Sequence, residues 1–71
     1  MKSLNVISAA GRFAQNWIAG SHLYVLEEIS NEPHEVLALV VAYIVVALRD
    51  NPVEQQSFLI ALQNQVERMK L

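Results

Sequence analysis

Any chemistry in this sequence would have to begin with two histidines and a cluster of glutamates. His34-Glu35 opens the H-E-x-x-H pattern, in which two imidazoles one helical turn apart hold zinc while the glutamate acts as general base. Position 38 is alanine, so the second ligand is missing and the pair marks no more than a helix start. The chain has no cysteine and His22 has no second histidine at ligand spacing, so His22 is expected to be a partly buried, hydrogen-bonded side chain. Glu27, Glu28, Glu32 and Glu35 fall within nine positions with no Lys or Arg among them. Acid–base catalysis needs such groups to converge on a pocket, whereas these sit at a helix end and a turn. They make either a solvated edge or a docking patch for a basic partner. With two glycines in all, there is no loop to cradle a phosphate. The sequence offers no catalytic, cofactor-binding or metal-ligating residue and no site for a small-molecule substrate, and an enzyme is not expected.

The side chains left to recognise something are apolar, and they depend on the elements that carry them. Residues 36 to 48 read V-L-A-L-V-V-A-Y-I-V-V-A-L, fenced by Asn31, Glu32 and Pro33 in front and by Arg49, Asp50, Asn51 and Pro52 behind. As a helix this run spans about 20 Å, too short for a hydrocarbon layer about 30 Å thick. It is also too long for an ordinary strand, and its interleaved Ala and Leu favour helix over its β-branched residues. Around the helical wheel only Tyr43 offers a hydroxyl, so this helix should be covered on every side.

Three other helices are expected around it. Residues 3 to 19 form an amphipathic helix with Ser3 as a candidate N-cap and Leu4, Ile7, Ala10, Ala14, Trp17 and Ile18 as its apolar stripe. Ala9, Ala10, Gly11 and Ala14 make one flank small enough for another backbone to approach, and Phe13 and Trp17 stand one turn apart as bulky anchors. Gly20-Ser21 predicts a kink or break before a short helix over 22 to 30; the alternative is one helix running straight through, with Leu23, Leu26 and Ile29, or Ile18, His22, Val25 and Ile29, continuing the apolar stripe. Asn31 or Glu32 can cap the central helix (33 to 49), with Pro33 in its first turn, and Asn51-Pro52-Val53-Glu54 repeats the punctuation before a last helix over 52 to 70. There Leu59, Leu62, Val66 and Met69, with Phe58 beside them, form the apolar stripe, and Ile60 falls off it.

The expected fold is therefore all-α: one domain over residues 1 to 71, a three- to four-helix hairpin or bundle with an apolar central helix, completed by dimerisation. A chain of 71 residues buries only about 60% of its unfolded surface, and without cysteines it must find extra stability in association. Apolar content of 54% against 17% charged points the same way. The expected function is protein–protein interaction, as an oligomeric regulator, adaptor or cochaperone in the cytoplasm, either as a homodimer or with another protein. Phe13, Trp17, Val41, Ile44, Val45, Phe58 and Ile60 are the candidate interface. A formal charge of −2 and five dispersed cations (Lys2, Arg12, Arg49, Arg68, Lys70) argue against nucleic acid. The alternative partner is a membrane surface, met by the acid-free N-terminal helix through Phe13, Trp17 and Ile18.

Overall fold

A computed structural model of the chain describes residues 2–69. It contains four helices, α1 (Lys2–Ile18), α2 (His22–Ser30), α3 (His34–Ala47) and α4 (Pro52–Met69), joined by turns of three or four residues. Among the described residues there is no strand. Ser3 lies inside α1 and not at its cap, because the helix already begins at Lys2.

Each turn ends a helix by an identifiable device. At the end of α1 the Ser21 N–H donates to the Asn16 carbonyl (2.9 Å) and the Gly20 N–H to the Trp17 carbonyl (3.0 Å), with Gly20 at φ 98°. This pair of bonds around a left-handed glycine satisfies carbonyls that the helix would otherwise leave unpaired. The break expected at Gly20-Ser21 is therefore a true helix end. Pro33 stops α2, since the residue before a proline is kept out of helical geometry. Pro33 is itself extended (φ −60°, ψ 148°) and stands at the N-cap of α3, one position earlier than the first-turn placement expected for it. Its carbonyl accepts the first α3 bonds, from Val36 and Leu37 (3.0 and 2.8 Å). Neither Ser21 nor Pro33 supplies a side-chain cap. At the far end of α3 the Gln55 side-chain amide donates to the Val45 carbonyl (2.8 Å), so α4 closes an open acceptor in the last turn of its neighbour.

The main packing is α1 against α3. Val6, Ala10, Ala14 and Trp17 on α1 meet Val40, Ile44 and Leu48 at the same depth, all buried, with Val25 and Ile29 of α2 and Phe58 of α4 completing one cluster. Steps of four or three residues put each set on one side of its helix, and the alanines let the α1 and α3 backbones come close. The buried stripes differ from those expected on α1 and α4, and on α2 they decide between the two stripes offered, in favour of the one with Val25 and Ile29. Val6 replaces Ile7 and Ile18 on α1, Val25 and Ile29 face in from α2 while Leu23 is 77% exposed, and α4 turns Phe58, Ala61 and Leu62 inward while leaving Leu59 and Val66 partly outside.

The radius of gyration is 11.5 Å, against about 11 Å for a compact chain of this length. The thinnest dimension is 17 Å. Two helices packed with axes 8–10 Å apart measure roughly 13–15 Å through their Cα atoms, so the body is two layers deep.

Two glycine substitutions should move stability in opposite directions. A Cβ added at Gly11 or Gly20 meets no atom within 4 Å, so only the backbone decides. Gly11→Ala, inside α1, should raise stability by about 0.5–1 kcal/mol, and Gly20→Ala, forced to a positive φ, should lower it by about 1–2 kcal/mol. Urea melts of the two variants and the parent give the order directly; a Gly20→Ala melt equal to the parent would contradict the helix-end geometry.

Candidate functional site

Two places on the molecule combine unusual side chains with a defined geometry. The first is the junction at Trp17. The break at Gly20 swings the start of α2 back over α1, and the His22 ring stacks on the indole with centroids 3.9 Å apart and planes 14° from parallel. Phe58 of α4 meets the same indole edge-on at 5.2 Å and 83°. Both are favoured aromatic arrangements. His22 Nε2 donates to the Trp17 carbonyl at 3.1 Å, sharing that acceptor with the Gly20 N–H. Glu54 Oε1 lies 3.9 Å from the same nitrogen, a pairing that exists as an ion pair only with a protonated imidazole. Both side chains are partly exposed, so solvent screens it and its contribution is small.

This junction is structural in what it can do. His22 is partly buried and hydrogen-bonded, with one ring face and one nitrogen already engaged. The Trp17 indole Nε1 is buried and has no hydrogen-bond partner among the described residues. Such a donor costs about 1–3 kcal/mol, which the aromatic packing around it must offset. Among the described residues no three His, Cys, Asp or Glu side chains gather as a metal site would need. The four glutamates do not converge either: Glu27 and Glu35 are exposed, and Glu28 and Glu32 are half-buried along the end of α2 and the turn after it.

The second place is the outer face of α3. Val40, Ile44 and Leu48 are spent inside, yet Leu39 is 47% and Val46 53% exposed, with Ala42 exposed between them. The coverage on every side expected for this helix is thus not supplied by the chain itself. Glu35 and Arg49, both exposed, stand at the two ends of the same face. Positions 35, 39, 42 and 46 step by four and three, which keeps them on one stripe of α3, and Arg49 follows three residues on, in the turn after the helix.

The seven candidate interface residues fall into three groups. Trp17, Ile44 and Phe58 lie at the centre of the chain's own core, at 1, 0 and 0% exposure, because the fold needs its largest side chains inside. Phe13, Val41 and Val45 are half-buried and pack against that core. Ile60 is 51% exposed on the outer side of α4, near Val53 at 78%. Of the three residues considered for a membrane surface, Trp17 is buried, Phe13 is half-buried and Ile18 alone is outside, at 48%. No helix among the described residues is long and apolar enough to cross a membrane. Leu39, Ala42 and Val46 were not among the candidates, since nothing in an apolar run distinguishes its outer residues from its inner ones.

No protein-family model matches the sequence, and no curated protein or solved structure matches it.

The junction makes a graded prediction. Phe58→Ala should cost about 3–5 kcal/mol, the usual range for a buried aromatic, and His22→Ala about 1 kcal/mol for a stacked ring and one hydrogen bond. Trp17 fluorescence during chemical unfolding reads both. A Phe58→Ala midpoint close to the parent's would remove the junction from the core.

Proposed function

We propose that this chain is a non-catalytic protein–protein interaction module that works as a homodimer, in the manner of a small regulator, adaptor or cochaperone. The observation that carries this is the half-exposed apolar face of α3, where Leu39 and Val46 line up with the exposed Ala42 on a helix that has no polar side to turn outward. Isolated exposed apolar residues are ordinary, but aligned ones on a stripe are a feature of surfaces that meet another chain. Size supports the same reading: with two helix layers, no cysteine, and no cluster of metal ligands among the described residues, a second copy is a source of further buried area. Catalysis has no support in the Trp17 junction, whose imidazole is committed to stacking and to a backbone carbonyl.

The mass in solution tests this. Light scattering at tens of micromolar should give twice the 8.0 kDa of one chain. Replacing Leu39 and Val46 together by serine should return the mass to one chain with the helical circular dichroism unchanged, because neither side chain is in the monomer core. Ile44→Asp, by contrast, should abolish folding, since its carboxylate would be buried unpaired at a position with 0% exposure. A parent protein that stays at one chain's mass up to millimolar concentration would overturn the proposal.

A further inference from the structure

We propose that the exposed stripe of α3 pairs antiparallel with the same stripe of a second copy, about a two-fold axis passing beside Ala42. This inference rests on the self-association proposed above and adds the surface, the direction and the register.

The argument starts from symmetry. A two-fold dimer places the same patch on both partners, so the patch must complement itself. On α3 the stripe reads Glu35, Leu39, Ala42, Val46, with Arg49 following in the turn after the helix, all exposed, and Glu35 and Arg49 each stand seven residues from Ala42. Turning this stripe over about Ala42 brings the carboxylate of each chain opposite the guanidinium of the other, at both ends, with Leu39 and Val46 between. Parallel pairing would set Glu35 against Glu35 and Arg49 against Arg49. Charge therefore selects the antiparallel direction, as charges flanking an apolar seam do in paired helices.

The side-chain sizes agree with this direction. The crossing point is the tightest place in a pair of helices, and it is occupied by the alanine, which lets the axes approach toward the lower end of the usual 8–10 Å. From Glu35 to Val46 the stripe is about 16 Å long, three turns of helix, with Arg49 in the turn beyond it, and at the usual axis separation the two long end side chains can reach each other. Burying four apolar side chains, two from each copy, with two alanines at the axis makes a small interface. Glu35 lies in the first turn of α3, where it complements the helix dipole, and Arg49 lies in the turn just beyond the α3 C-terminus.

Charge exchange tests direction and register together. At low ionic strength, where exposed charges are least screened, Glu35→Arg alone and Arg49→Glu alone should each weaken dimerisation by about tenfold, because both ends become like-charged. The double variant Glu35→Arg/Arg49→Glu restores both pairs and should dimerise within about twofold of the parent. Ala42→Glu, which sets two carboxylates against each other at the axis, should be monomeric with unchanged circular dichroism, since residue 42 is exposed in the single chain. Sedimentation velocity gives all five dissociation constants. Singles that dimerise like the parent, a double no better than the singles, or a dimeric Ala42→Glu would each overturn this arrangement while leaving self-association standing. A parent that is monomeric throughout would overturn both.

Discussion

A chain of this length can lay its helices two deep and no deeper, and that limit governs the rest of the molecule. In a two-layer body every helix has one side toward its neighbours and one side toward solvent. Three of the four helices carry polar residues outward, such as Arg12 and Gln15 on α1, Glu27 on α2, and Gln56, Gln63 and Asn64 on α4, interspersed with exposed apolar side chains such as Ile7, Leu23 and Val53. The segment that becomes α3 has almost none to offer between Val36 and Leu48. Its inner side is satisfied by the small stripe of α1, and its outer side is left with Leu39, Ala42 and Val46.

What makes the inner side work is the Trp17 junction. The indole is the largest buried side chain and touches elements from both ends of the chain, α2 through the stacked His22 and α4 through the edge-on Phe58. The positive φ at Gly20 is needed for this stacking, because a helix running straight through would carry His22 away from the indole face. The Gln55 amide on the Val45 carbonyl and the Gln65 amide toward the Leu26 carbonyl (3.4 Å) tie α4 down at two further points. Helix ends, aromatic packing and α4 placement are therefore one problem with one solution, and the side chains most suited to gripping a partner are consumed in it.

Local signals were legible in the sequence wherever a residue type forces the backbone. Pro33 and Pro52 set the starts of α3 and α4 to within a residue, and Gly20 ended α1, because proline and glycine act without reference to the rest of the fold. The rotation of each helix was much less legible. On α1, Val6 and Ile7 are equally apolar neighbours, and only the packing decides that Val6 goes in. On α4, Phe58 and Leu59 pose the same choice. In α3 the difficulty is complete: an apolar run has no polar face to orient it, so periodicity cannot say that Ile44 is inside and Ala42 outside. The same reasoning explains why Trp17, Ile44 and Phe58 drew attention as interface residues, since bulk suits a core and a contact surface equally, and why the stripe from Glu35 to Arg49 emerged only from the fold.

The central claim is that the outer face of α3 is completed by a second copy of the chain, and the thermal midpoint tests it most directly. Whatever binds only the folded state raises the melting temperature by mass action, so a dimer melts at a temperature that depends on its own concentration. Over about a hundredfold range of protein concentration the midpoint should rise by several degrees. A sharp, cooperative transition at one temperature across that whole range would show a chain that is complete alone, and would contradict the account.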